Sequence, residues 1–250
     1  MGGILAAAIL LARFYRLAMF SQLRLICFDL DNTFWPIEPV IRAADQAVEQ
    51  WLEAQYPTLA AVVSPDLLRE ARFDLARQYP DQAHDMTWLR IEALARCALA
   101  QGLPAAVGRE GFEVFIAARH RVEFYPDVLP ALDLLGRSFR LATLSNGNAD
   151  IQRIGAAQRF EFSLNAGLIG YAKPDPRAFQ KVLDLSGCQP MEVLYVGDDP
   201  DHDIAGPQKL GLRTAWIRRD PARDWPAGFT APDVVLATLA DLVSALASVR

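Results

Sequence analysis

An apolar run, Leu25-Ile26-Cys27-Phe28, stops abruptly at two acids in the string Leu-Ile-Cys-Phe-Asp-Leu-Asp-Asn-Thr. Few architectures accept such a string. A run apolar on both faces suits a strand of a parallel sheet covered by helices on each side. Side chains alternate along a strand, so extended backbone past Phe28 puts Asp29 and Asp31 on one side of its carboxyl end. Ligands of open α/β sheets bind at those ends. Two adjacent carboxylates repel, and a hard cation such as Mg²⁺ offsets the repulsion. The alternative is that Asp29 caps a helix or turn and that Asp31-Asn32-Thr33 is turn chemistry.

After Phe34-Trp35-Pro36 the period changes. Ile41, Ala44, Val48 and Leu52 recur on one helical face, and Pro57 ends the segment. Ser64-Pro65 supplies an N-cap and a first-turn proline for a second helix, to about Gln78. A third, about Asp85–Gln101, aligns Trp88, Ile91, Ala95 and Ala98. A fourth, about Ala105–Arg121, carries Val107, Phe112, Phe115 and Ile116. Beyond Tyr125-Pro126-Asp127, strands and helices alternate, as in an α/β layer fold. Strands are expected at Phe139–Leu144, Phe160–Leu164, Val193–Val196, Thr214–Ile217 and Val234–Leu236. Helices are expected near Asp127–Leu135, Ala149–Gln158, Asp175–Gly187, Ile204–Leu210 and Leu239–Val249. The expected fold is therefore α/β: a Rossmann-like parallel-sheet core, residues 19–35 and 124–250, with an inserted all-helical cap, 36–123.

A chain of 250 residues buries a sizeable core in one or two domains. A net charge of −5 gives no basic footprint for nucleic acid. The three cysteines, Cys27, Cys97 and Cys188, lack metal-ligand spacing, and reduced thiols in the cytoplasm are expected. Gly2–Ala12 is apolar but too short to span a bilayer, so no stable membrane span is expected. Arg13 and Arg16 follow that run, the reverse of a secretory signal. Residues 1–18 read as an appendage, with Met19 a candidate start.

Four strings stand in order at strand ends or adjoining loops: Asp29-Leu30-Asp31-Asn32-Thr33, Leu144-Ser145-Asn146, Ala172-Lys173-Pro174-Asp175-Pro176, and Gly197-Asp198 with Asp203. Together they resemble the motifs of the haloacid dehalogenase-like superfamily, from Arg24 to about Leu236. The resemblance implies that Asp29 is a nucleophile forming an aspartyl-phosphate. It implies that Asp31 is first general acid and then general base, a role worth about 10²–10⁴-fold. Members that displace halide lack this second acid, so its presence points to phosphoryl transfer. Ser145 and the Asn146 main chain would hold phosphoryl oxygens, and Lys173 would neutralise charge on Asp29 and the transferring group. Mg²⁺ would be held by the Asp29 carboxylate, the Asp31 main-chain carbonyl and Asp198. Asp203 would support that ion from behind, while Asp199 and Asp201 read as surface or capping acids. His202 stands where many relatives carry Asn, and Pro207 lies in a helix usually lined with small residues.

The helical insert resembles the branch with a helical cap. Its string His84-Asp85-Met86-Thr87-Trp88-Leu89-Arg90 is similar to that of bacterial phosphatases acting on flavin mononucleotide and 5-amino-6-(5-phospho-D-ribitylamino)uracil. The resemblance implies a small phosphorylated metabolite as partner. Trp35, His84, Trp88 and Arg90 are expected to present stacking and hydrogen-bonding groups to it. The alternative places Trp88 in the cap core and His84 on the cap surface. Competing functions are a phosphosugar phosphatase or mutase and a catalytically idle binding module. The intact set Asp29, Asp31, Ser145, Lys173 and Asp198 speaks against idleness.

Overall fold

The structure, a computed structural model, describes residues 20–247. The expected appendage over 1–18 and the start at Met19 lie outside the described residues. Six strands, β1 Leu25–Phe28, β2 Arg140–Ser145, β3 Phe162–Asn165, β4 Val193–Gly197, β5 Arg213–Ile217 and β6 Val234–Leu236, form one sheet in the order β3-β2-β1-β4-β5-β6. Every pairing is parallel. All four residues of β1 are fully buried, and they alternate between two cores. Ile26 and Phe28 join one apolar cluster, Leu25 and Cys27 the other. Burial pushes the Cys27 thiol up, away from the reactive thiolate.

The major helices are α1 Ile37–Gln55, α2 Pro65–Gln78, α3 Met86–Ala100, α4 Ala106–Arg119, α5 Val128–Leu135, α6 Pro176–Ser186 and α7 Leu239–Leu246. The first four lie between β1 and β2 and pack on two apolar clusters of their own, one around Ala44, Val48, Leu52, Leu94 and Phe115, the other around Leu75, Leu89 and Ala93. Their starts follow local chemistry. Ser64 accepts from the Leu67 N–H and Asp85 from the N–H groups of Thr87 and Trp88. Together the sheet and this helical layer form the α/β core and inserted cap.

Two expected helices form differently. Residues 149–158 hold turns and a short 3₁₀ segment, Ala157–Arg159, because the Asp150 carboxylate accepts from the Gln152 N–H and Gly155 adopts φ +85. The helix expected from Ile204 instead begins as a wide π turn at Pro200–Ala205, capped by the Asp199 carboxylate, and continues as Gly206–Gln208. Pro207 falls in the first turn of that continuation, where a missing N–H costs little. No helix among the described residues is long and apolar enough to cross a membrane.

The segments that join core and cap are tied together. The Tyr125 N–H donates to the Phe34 carbonyl at 2.9 Å. Arg219, just after β5, donates to the Thr33 carbonyl at 2.8 Å and to both Asp127 oxygens at 2.8 and 2.9 Å. Its guanidinium lies 4.3 Å from the Tyr125 ring centroid. Arg219→Ala is expected to lower stability by about 3 kcal/mol, because it strands a largely buried carboxylate. Urea denaturation measures this, and a loss below about 0.5 kcal/mol would mark the pair as a solvated surface contact.

Candidate active site

The strand order reverses at β1, which has β2 on one side and β4 on the other. Phe28 is in register with both Thr143 and Val196, so the carboxyl ends of the three strands come out together. That switch point is where an open α/β sheet leaves a crevice. Asp29, Ser145 and Asp198 emerge there at or just past their strand ends. The Asp29 N–H still donates to the Val196 carbonyl at 2.9 Å, so the ladder holds the acid in place.

Lys173 draws two carboxylates together. Its Nζ donates to Asp29 Oδ1 at 2.6 Å and to Asp203 Oδ1 at 2.7 Å, and all three residues are buried. Burial opposes the charge on Lys173, but Asp203 and Asp29 override it and hold the ammonium well above its ordinary range. Asn146 positions this lysine. Its side-chain oxygen accepts from the Lys173 N–H at 2.7 Å, and its Nδ2 donates to the Lys173 carbonyl at 2.8 Å. The Asn146 side chain is therefore spent on the lysine loop, which leaves its main chain for any ligand. Ser145 Oγ, buried, accepts from the Gly147 N–H at 3.0 Å and retains its own proton to donate.

Asp29, Asp198 and Asp203 offer oxygens that lie within 4.8 Å of one another. Asp203 is already committed, to Lys173 on one oxygen and to the Asp199 N–H on the other, at 3.0 Å. Asp29 Oδ2 has no donor among the described residues. Asp198 meets Arg223 through Oδ2 at 3.2 Å, and its main-chain carbonyl accepts from Trp216 Nε1 at 2.8 Å. Burial and the nearby Asp203 push the Asp198 carboxyl up to about 6, against the pull of Arg223. Three converging carboxylates exceed the one buried ammonium beside them. All are hard oxygen donors, so the set fits a divalent cation such as Mg²⁺. His202 does not disturb this arrangement: it is half exposed, with Nδ1 3.5 Å from an Asp199 oxygen, and Asp203 takes its donors elsewhere.

Asp31 has a different set of partners. Trp35 Nε1 donates to its Oδ1 at 2.8 Å, and Arg119 Nη2 reaches Oδ1 and Oδ2 at 2.6 and 2.7 Å. The tight turn that brings Trp35 back onto Asp31 places Asn32 at φ +59, a conformation asparagine tolerates. Arg119 ends the last cap helix and is 1% exposed. It is the cap side chain seated on the two-acid motif, and motif reading alone missed it.

The remaining candidates in and beside the cap divide. Trp35 is fully buried, with its ring edge-on to Phe34 and Phe124, so the expected stacking face is not presented. Trp88 packs inside the cap, edge-on to Tyr79 and beside Leu75 and Leu89. Arg90 is turned inward as well. It donates to Asp45 at 3.1 Å, sits 3.5 Å over the Phe115 ring and lines a cavity among the cap helices. All three make their side-chain contacts within the protein. His84 is half-buried in the turn before α3. That turn abuts the core, since a Cβ on Gly167 would lie 3.2 Å from Asp85 Oδ1. His84 thus lies near the seam between cap and sheet, as does Trp35 through its bond to Asp31.

The chain is similar to known proteins. The family model for haloacid dehalogenase-like hydrolases matches residues 23–211. The 5-amino-6-(5-phospho-D-ribitylamino)uracil phosphatase YigB of Escherichia coli is 28% identical over 239 residues, spanning 93% of this chain and 99% of that protein. A phosphoserine phosphatase of Thermus thermophilus is 33% identical over 223 residues, covering 79% and 89%. The crystal structure of a 2-haloacid dehalogenase from Pseudomonas syringae superposes with a TM-score of 0.85 at 35% identity, covering 91% of this chain and all of that one.

Proposed function

The chain belongs to the haloacid dehalogenase-like hydrolases, and from that premise we propose that it hydrolyses phosphate monoesters of small metabolites through an aspartyl-phosphate on Asp29. The observation that carries this reading is the second acid. Asp31 is held beside the Ser145 loop by Trp35 and Arg119, and its carboxyl is the group that would give a proton to a leaving oxygen. Halide displacement has no use for that proton, because a halide leaves as an anion.

In the first step an Asp29 carboxylate oxygen attacks phosphorus and the bond to the ester oxygen breaks. Asp31 protonates that oxygen, and the alcohol departs. In the second step Asp31 takes a proton from water as the water oxygen attacks phosphorus. The acyl phosphate bond then breaks, restoring the Asp29 carboxylate and releasing inorganic phosphate. Ser145 Oγ and the main chain at Asn146 would bind the phosphoryl oxygens, and Lys173 would spread their charge. Asp29, the Asp31 main-chain carbonyl and Asp198 would hold Mg²⁺, which supplies charge neutralisation at the phosphoryl group when bound.

The substrates named for the relatives, a ribitylaminouracil phosphate and phosphoserine, frame the choice of leaving group. The inward packing of Trp88 and Arg90 weakens the specific case for a flat heterocycle. The test is a release assay over flavin, nucleotide, sugar, amino-acid and aryl phosphates, with Mg²⁺ and with excess chelator. A parallel arm measures halide release from 2-haloacids. Mg²⁺-dependent phosphate release is expected, falling at least about 100-fold with chelator. Halide release without phosphate release would overturn the reading in favour of the reaction named for the Pseudomonas syringae neighbour.

A further inference from the structure

Arg119 Nη1 and Asn148 Nδ2 are buried nitrogen donors with no hydrogen-bond acceptor among the described residues. Asn148 follows Gly147 in the chain. A Cβ built on Gly147 would lie 3.5 Å from Arg119 Nη2, 3.4 Å from Ser145 Oγ and 2.8 Å from Asp31 Oδ2. Gly147 is therefore where the cap arginine, the second acid and the Ser145 loop converge, and a side chain there would collide with Asp31.

The way Arg119 binds Asp31 explains its spare donor. A guanidinium usually meets a carboxylate with two nitrogens, one per oxygen. Here the single Nη2 spans both oxygens, leaving Nη1 with none. A charged donor left dry is costly, more so than a neutral one. The guanidinium comes close to Gly147, on the loop assigned to the phosphoryl group. Asn148 Nδ2 adds a second unfilled donor on the same loop. Two unpaired donors, one of them cationic, suit an anionic oxygen.

We propose that Arg119 and Asn148 form an anionic-oxygen subsite at the seam of cap and core, making Arg119 a substrate-binding residue contributed by the cap. This assignment rests on the phosphatase reading. The oxygen belongs either to the phosphoryl group or to a carboxylate carried by the leaving group. Because Arg119 ends α4, substrate binding then depends on that helix being seated over the sheet.

The experiment compares Asn148→Ala, Arg119→Lys and Arg119→Gln with wild type. Readouts are kcat and KM on p-nitrophenyl phosphate, the competitive inhibition constant of inorganic phosphate, and the same constants for O-phosphoserine as substrate or competing ligand. Thermal melting monitors folding. Asn148→Ala removes no ion pair and keeps the test alive if Arg119→Gln folds poorly. Asn148→Ala is expected to weaken ligand binding about 10-fold with little change in melting, and Arg119→Gln to lower kcat/KM about 100-fold or more. Losses shared by both esters and by inorganic phosphate place the phosphoryl group in the subsite. Losses confined to O-phosphoserine place the leaving-group carboxylate there. Unchanged KM and inhibition constants in Asn148→Ala and Arg119→Lys overturn the subsite, as does a fall in kcat alone, which marks Arg119 as only positioning Asp31. Asp29→Asn separates the two levels: if it stays active the phosphatase reading itself fails, whereas a dead Asp29→Asn beside unaffected Arg119 and Asn148 variants sinks this subsite alone.

Discussion

Asp29→Asn is expected to lower turnover at least about 10⁴-fold while leaving the protein folded. An amide has no anionic oxygen with which to attack phosphorus, so the covalent step is lost rather than slowed. Folding should survive for a local reason. Asn has nearly the volume of Asp, and its carbonyl oxygen can still accept from Lys173 Nζ, as Asp29 Oδ1 does at 2.6 Å. The substitution also removes one of three carboxylates that crowd a buried site. Thermal melting should therefore fall little. Phosphate release is followed with Mg²⁺ present, on a preparation checked by mass spectrometry for deamidation back to Asp. Persistent Mg²⁺-dependent turnover in that preparation would falsify the nucleophile assignment.

Much of the frame was legible because it depends on near neighbours in the chain. The run Leu25–Phe28 is apolar at every position, and it is the central strand with helices on both faces. Ser64, Asp85 and Asp175 precede helices that their side chains cap. The segment after Asn148 misled for an equally local reason. Its composition tolerates a helix, but the Asp150 side chain competes for the Gln152 N–H and Gly155 takes a left-handed conformation.

Contacts across the chain were harder to read. Arg119 lies 88 positions from Asp31, and no motif links them. A faint signal did exist. Phe112, Phe115 and Arg119 recur at helical spacing, so the arginine continues the apolar side of α4. A charge on that side needs a buried partner, and Asp31 is it. Trp35, Trp88 and Arg90 pose the converse problem. Aromatic and cationic side chains near a motif suggest recognition, yet packing claims the same groups, and only three-dimensional neighbours such as Phe124, Tyr79 and Asp45 decide.

Lys173→Met is expected to cost both activity and stability, and the stability loss is the more telling. Met preserves an unbranched stem beside Tyr195 but removes the ammonium that lies between Asp29 and Asp203. Both acids are almost wholly buried, so water cannot replace the lost charge. Stranding buried carboxylates in this way costs about 3–5 kcal/mol. Urea denaturation at neutral pH should show that loss. Adding Asp29→Asn to Lys173→Met should restore part of it, because one fewer charge then lacks a partner. A cation should do the same from the other direction. Mg²⁺ that binds the folded acids and not the unfolded chain stabilises by mass action. Millimolar Mg²⁺ is therefore expected to raise the melting temperature of Lys173→Met more than that of wild type, and to do so without substrate. Turnover should stay at least about 100-fold down even with Mg²⁺, since a metal between the acids does not reproduce a fixed donor beside the phosphoryl group. If Lys173→Met melts like wild type, Asp29 and Asp203 are not held as charged partners of the lysine. If Mg²⁺ changes neither protein's stability, the clustered oxygens of Asp29, Asp198 and Asp203 do not form the cation site proposed for them.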